Sequence, residues 1–151
     1  MIPATGRVLG FDLGSARIGV AVSDSHQHVA SALRVVSRSG DVGADRRALT
    51  LIVAEEEAVG VVIGLPLSLN GSVGPAAQAV LDEIDAAGGA GSPGVPVETI
   101  DERFTTVAAH QSLRAGDRRG RKARQTVDAV AAALLLQSWL DRRHARRSAD
   151  G

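Results

Sequence analysis

Carboxylate residues stand at the ends of apolar segments in this sequence of 151 residues. Asp12 follows the apolar run at residues 8–11, and a later apolar strand ends in Asp101 and Glu102. Asp128 stands near the start of a strongly apolar helical pattern. A charge at the edge of a buried strand costs several kcal/mol unless it is paired or binds a metal ion. Because strand ends and one helix end can converge on one point, these acids predict a shared site.

Hard metal ions are the cations that such a site favours. The sequence has no cysteine, and His26 and His28 lie close to a predicted turn instead of in a ligand motif. An oxygen-only site favours Mg²⁺ or Mn²⁺, and pairs of such ions roughly 4 Å apart catalyse phosphodiester hydrolysis. The small residues at 131–133 support convergence, because they would let the last helix lie close to the sheet. The alternative is that the acids are separate caps and surface charges.

The apolar pattern predicts an α/β fold on a mixed sheet. Residues 8–11 and 18–22 form a β-hairpin around a Gly-Ser turn, and a helix between two wholly apolar strands implies a parallel crossover. The further predicted strands are 29–36, 59–65 and 95–100. The predicted helices are 44–58, 76–87, a helix from Thr105 or Thr106 to residue 113, and 125–142. Residues 1–6 and 143–151 are predicted to be loose tails of a single domain, 1–151.

Charge is distributed unevenly along a chain whose net charge is zero. Residues 1–102 hold six Arg and no Lys against thirteen Asp and Glu, whereas residues 103–147 hold ten Arg and one Lys against three Asp. A basic block beside an acidic one favours a polyanionic partner held next to a carboxylate site. With two Phe, one Trp and no Tyr, backbone phosphates are a better contact than stacked bases. The alternative is a solvated arginine-rich surface.

The densest basic segment is residues 115–124, which glycines interrupt and which we predict to be a mobile loop. It directly precedes the helix that carries Asp128, so its side chains should lie at the rim of the acid cluster and hold substrate phosphates. The candidates are Arg118, Arg119, Arg121, Lys122 and Arg124.

The composition also excludes several classes of protein. Without cysteine, the chain offers no disulfide framework and no thiol nucleophile. Neither a targeting segment nor an apolar run of membrane-spanning length occurs in the sequence. We therefore expect a soluble cytoplasmic protein.

Four segments that span nearly the whole chain carry a family resemblance. They are residues 10–24 (GFDLGSARIGVAVSD), 64–66 with 70–72 (GLP and NGS), 101–106 (DERFTT) and 127–140 (VDAVAAALLLQSWL). In this order they resemble the YqgF family, also called RuvX or Holliday-junction-resolvase-like proteins, within the ribonuclease H-like nucleases. The resemblance implies a five-stranded mixed sheet flanked by helices, and metal-dependent cleavage of nucleic acid.

The resemblance also implies roles for individual residues. Asp101 is a further catalytic candidate that we expect to orient Glu102, because neighbouring strand residues face opposite sides and only one of the two need touch metal. Arg17 and Arg103 match family positions and could hold phosphate, and for both the alternative is a plain salt bridge. The acids expected to bind Mg²⁺ or Mn²⁺, with two ions expected, are Asp12, Glu102 and Asp128.

The resemblance implies two functions, and the residues leave two alternatives. The leading one is a nuclease that processes the 5′ end of the precursor of 16S ribosomal RNA, and the first alternative is a resolvase acting on branched DNA. A non-catalytic nucleic-acid-binding module is less favoured, because all three acids are present. A kinase or ATPase related to actin shares a first loop similar to residues 12–14, but it needs two such domains. Monomer and homodimer both remain open.

Overall fold

The protein is built on a five-stranded mixed sheet. A computed structural model describes residues 1–86, 94–105 and 121–150. The strands are β1 (Val8–Leu13), β2 (Arg17–Ser23), β3 (Ala30–Ser37), β4 (Gly60–Leu65) and β5 (Val97–Asp101). Their order in the sheet is β3-β2-β1-β4-β5. The pairs β1–β2 and β2–β3 are antiparallel, whereas β1–β4 and β4–β5 are parallel. The mixed sheet that the sequence predicts is therefore confirmed.

Helices pack on both faces of this sheet. The described helices are α1 (Val42–Glu55), α2 (Pro75–Ala86) and α3 (Arg121–Asp150), and a short 3-10 turn, Glu102–Phe104, directly follows β5. The Asp41 side chain caps α1 by accepting a hydrogen bond of 2.9 Å from the backbone N–H of Gly43. None of the described helices combines the length and apolar character that crossing a membrane requires.

The last helix is longer than the sequence pattern predicts. We expected residues 125–142, whereas α3 begins at Arg121 and ends at Asp150. Residues 121–124, predicted to belong to a basic loop, are therefore helical. After Gly120 the chain has no glycine or proline until Gly151, and Arg, Lys, Ala and Gln all favour helix, so propensity outweighs the local charge. Residues 115–120 and the predicted helix beyond Thr105 lie outside the described residues.

The chain ends also differ from the loose tails that we expected. Ile2 is 1% exposed and belongs to the core beneath α3. Its carbonyl oxygen accepts a hydrogen bond from the guanidinium of Arg143, and His144 Nε2 lies 2.7 Å from the carbonyl oxygen of Gln27. These residues are packed or hydrogen-bonded because Ile2 fills the apolar core beneath α3, a contact that the local sequence does not indicate.

Each strand sends alternate residues to opposite faces of the sheet. Leu9 and Phe11 of β1 pack with α1 and α2, whereas Val8 packs with α3. Asp12 has the same phase as Val8 and therefore lies on the α3 face. The α3 residues that fill this face are Ala131, Ala132, Leu135, Leu136, Trp139 and Leu140.

Glycines on this face let α3 lie against the strand backbones. A Cβ atom at Gly19 of β2 would overlap the backbone carbonyl of Asp128, and one at Gly10 would lie 2.8 Å from Leu136 Cβ. At both positions the added Cβ atom would lie closer to α3 than normal van der Waals contact allows. The helix backbone thus rests almost directly on β2 at the point where Asp128 leaves the helix.

We expect Gly19→Ala to destabilise the protein by about 3 kcal/mol or more, at the upper end of the cost of overpacking, because the obstacle is backbone. Urea denaturation measures the change. The matched control is Gly43→Ala in the first turn of α1, where a Cβ atom would lie 3.3 Å from the flexible Asp41 side chain. That variant should be neutral or slightly stabilised, and equal stabilities for the two variants would contradict the packing argument.

Candidate active site

Three buried carboxylates lie on or beside the α3 face of the sheet. Asp12, Glu102 and Asp128 are 8%, 8% and 3% exposed. Asp12 stands near the end of β1, and Glu102 follows β5 directly. Because β1, β4 and β5 are parallel, their carboxyl ends share one edge of the sheet. Buried charges are rare in proteins unless something compensates them, so this edge is the candidate site.

Gly64 of β4, the strand between β1 and β5, leaves space for the Glu102 side chain. The β1–β4 register pairs Phe11 with Ile63, so Gly64 is next to Asp12 across the sheet. A Cβ atom at Gly64 would lie 2.6 Å from Glu102 Oε1. The Glu102 side chain therefore reaches back over a strand position that has no side chain, towards Asp12.

This buried position destabilises the charged form of the Glu102 carboxyl group. Burial, together with the neighbouring carboxylates of Asp12 and Asp101, raises the pKa of its carboxyl to about 7. The repulsion shows that Asp12 and Glu102 interact electrostatically. A divalent cation bound between them would remove the repulsion, so the oxygen-only donors of this pair fit Mg²⁺ or Mn²⁺.

Asp101 faces an arginine instead. Its carboxylate accepts hydrogen bonds from Arg103 Nε at 3.0 and 3.1 Å and from Arg103 Nη2 at 2.6 Å. These bonds lower the pKa of Asp101 below its ordinary value. Arg103 Nη1 also donates to the backbone carbonyl of Leu69 at 3.1 Å, which ties the end of β5 to the loop after β4. Arg103 thus makes the salt bridge that was the alternative to phosphate binding.

The charge of Asp128 is compensated in the same way, by an arginine at the start of β2. Arg17, the first residue of β2, donates from Nε to Asp128 Oδ2. The Arg17 side chain is 25% exposed, whereas that of Asp128 is 4% exposed. A buried carboxylate is stable when it is paired and hydrogen-bonded, which explains how α3 carries a charge on its packed face.

The convergence that the sequence predicts is therefore incomplete in this structure. Within residues 1–86, 94–105 and 121–150, no three His, Cys, Asp or Glu side chains form a group that could hold a metal ion. Asp12 and Glu102 lie together, whereas Asp128 binds Arg17 and Asp101 binds Arg103. Each of these two arginines supplies positive charge beside a carboxylate.

The basic candidates are only partly described. Arg118 and Arg119 lie outside the described residues, and the backbones of Arg121, Lys122 and Arg124 form the first turn of α3. The sequence named both Arg17 and Asp128 but did not pair them, since 111 residues separate the two and no local pattern connects them. The role of Gly64 in making space for Glu102 was not predicted either, although this residue begins the GLP segment.

A family model agrees with this architecture. The model of the RuvX family, described as Holliday junction resolvase, matches residues 6–142. A protein from Mycobacterium sp. (strain KMS) named "Putative pre-16S rRNA nuclease" is 44% identical over 149 residues, covering 99% of this chain and 88% of that protein.

Solved structures show the same fold. The yeast mitochondrial Holliday junction resolvase Ydc2 matches with a TM-score of 0.56 and 12% identity, over 97% of this chain and 84% of that chain. RuvC of T. thermophilus in complex with a Holliday junction substrate matches with a TM-score of 0.53 and 21% identity, over 93% of this chain and 96% of that chain. The ribonuclease H-like fold that the sequence predicts is thereby confirmed.

The raised pKa of Glu102 predicts a pH-dependent stability for the metal-free protein. Between its ordinary value of 4.5 and about 7, the folded state binds a proton that the unfolded state has lost. The free energy of unfolding should therefore fall as pH rises through this window, by roughly 3 kcal/mol at about 1.4 kcal/mol per unit. Urea denaturation in EDTA, compared with Glu102→Gln, isolates this contribution.

A matched variant at an exposed carboxylate, Glu57→Gln, should retain the wild-type pH dependence. Added Mg²⁺ should flatten the wild-type curve, because a cation stabilises ionised Glu102. If Glu102→Gln and wild type lose stability equally over this window, Glu102 does not titrate there.

Proposed function

The chain belongs to the RuvX family of nucleases, and we propose that its substrate is the precursor of 16S ribosomal RNA. The observation that carries this proposal is the similarity, over nearly the full chain, to a mycobacterial protein named for that activity. The buried pair of Asp12 and Glu102 supports the chemistry, because phosphodiester hydrolysis needs charge neutralisation at the reacting phosphate. We also propose that the protein acts in the cytoplasm.

Asp12 and Glu102 are the residues that we propose for metal binding. When bound there, a divalent cation neutralises phosphate charge and lowers the pKa of a coordinated water. The two carboxylates come from strand ends of one rigid sheet, so the fold sets their separation before substrate arrives. We propose Asp128 as a further ligand, because a carboxylate can accept from Arg17 at Oδ2 and still offer lone pairs to an ion.

The arginines of the site have supporting roles in this proposal. Arg17 holds Asp128 in place and, at 25% side-chain exposure, can also meet a phosphate oxygen. Arg103 positions Asp101 and the backbone carbonyl of Leu69. Asp101 therefore orients the turn that begins with Glu102, since its side chain accepts from the backbone N–H of Arg103 at 2.9 Å.

A second candidate substrate is branched DNA, which the description of the RuvX family favours. The same buried carboxylates could serve either substrate, because the chemistry at phosphorus is common to both. A cleavage assay with a precursor-rRNA leader fragment and a four-way DNA junction, each with Mg²⁺ or Mn²⁺, distinguishes them. Preferential cleavage of the junction would overturn the proposed RNA substrate.

We expect Asp12→Asn to abolish cleavage without unfolding the protein. The substitution keeps the side-chain shape but removes the charge that attracts the cation. The matched control is Asp41→Asn at the start of α1, because Asn caps a helix as well as Asp does and α1 packs on the opposite face from the site. Cleavage at the wild-type rate by a folded Asp12→Asn protein would remove Asp12 from the mechanism.

Glu102 should matter more than Asp101. Asp101→Asn disturbs orientation, for which losses are typically about 10–100-fold, whereas Glu102→Gln removes a direct ligand and should cost more. Steady-state kinetics at saturating Mg²⁺ give kcat/KM for both variants. A smaller loss for Glu102→Gln than for Asp101→Asn would reverse the two assignments.

A further inference from the structure

A basic cleft lies between β5 and the last turns of α3. We use this name for a cavity of about 400 Å³ whose wall on α3 carries four arginines. Glu98 and Asp101 of β5 line the opposite side, and Trp139 lies at the base. The arginines are Arg142, Arg143, Arg146 and Arg147. Neither the carboxylate pair nor its proposed chemistry accounts for this concentration of positive charge.

The carboxylates of the basic cleft do not balance its arginines. Glu98 already accepts a hydrogen bond from the backbone N–H of Ile2 at 3.2 Å, and Asp101 is held by Arg103. Within the part of the chain that the structure describes, neither Arg146 nor Arg147 lies within ion-pair distance of a carboxylate. Arg142 interacts electrostatically with Asp101 and Arg143 with Glu98, so the positive charge in excess of these carboxylates is that of Arg146 and Arg147.

Arg143 is held in the wall of the basic cleft by its own contacts. The Arg143 guanidinium lies 4.9 Å from the centre of the Trp139 ring and donates to the carbonyl of Ile2 and, at 3.3 Å, to Gln27 Oε1. Burial and the neighbouring Arg147 guanidinium lower the pKa of Arg143. Arg142, Arg146 and Arg147 are exposed on the same helix end and can meet a ligand.

We propose that the basic cleft binds the sugar–phosphate backbone of the nucleic-acid strand that is cut at Asp12 and Glu102. The proposal rests on the proposed nuclease function. Asp101, which lines the cleft, directly precedes Glu102, so the cleft begins beside the carboxylate site. From Trp139 to Arg147, α3 extends about 12 Å, enough for about three nucleotides at about 3.4 Å each.

The lining also indicates which part of the nucleic acid is bound. Trp139 is only 8% exposed and already contacts Arg143, so it offers no free face for stacking a base. The guanidinium forks of arginine match phosphate oxygens well. Contacts to phosphates carry no sequence information, so the cleft should hold the flanking strand regardless of its sequence.

The test compares two variants with the same loss of charge. Arg146→Ala with Arg147→Ala removes two cleft arginines, whereas Arg34→Ala with Arg47→Ala removes two exposed arginines on the α1 side of the sheet. Fluorescence anisotropy measures binding of a short single-stranded RNA in EDTA at several salt concentrations. Because each phosphate contact contributes about 0.7 to the log–log salt slope, the cleft variant should lose about 1.4 and bind more weakly.

The control variant should retain the wild-type affinity and slope, and both variants should unfold at the wild-type temperature. In cleavage assays the cleft variant should raise KM more than it lowers kcat. An unchanged slope in the cleft variant would overturn the proposal, as would tighter binding of a polyglutamate peptide than of RNA. Cleavage by wild type is scored separately, so a protein that binds RNA through the cleft but never cuts it contradicts only the proposed function.

Discussion

The close approach of α3 to the sheet is the constraint on which the rest of the structure depends. The helix contacts strand backbones at Gly10 and Gly19, where any side chain would collide with it. This contact sets the height of the helix above the sheet and therefore the position of Asp128 relative to β2. It also closes the core, because the apolar residues of α3 fill the whole face from Val8 to Ile100. If a side chain at either glycine pushed α3 away from the sheet, both the position of Asp128 and the closed core would be lost.

The buried carboxylates near α3 are accommodated in two different ways. Two acids are neutralised within the fold, Asp128 by Arg17 and Asp101 by Arg103. For Glu102, burial and the nearby carboxylates instead raise the pKa of the carboxyl group. The metal-free protein therefore carries a repulsion that a cation at the proposed site would relieve, and ligands that bind only the folded state add to its stability. Metal binding and folding stability should be linked through Glu102 in particular.

The sequence predicts the sheet well because its strands have local signatures. Apolar runs mark β1 and β4, and Asp12 and Glu102 follow directly from where strands end. The pairing of Arg17 with Asp128 has no local signature, since it joins the start of β2 to the far end of the chain. The length of α3 was underestimated for a related reason, because its last turns are held by contacts with Ile2 that only the fold creates.

The order in which these parts leave the ribosome follows from the position of α3 in the chain. All five strands are synthesised before the helix that covers them, and the contacts from Arg17 to Asp128 and from Ile2 to Arg143 span 111 and 141 residues. At cellular rates, the first strand waits on the order of ten seconds for its helix. During that time the small and apolar face of the sheet is open to water and to other nascent chains. Contacts this distant in sequence also slow folding itself.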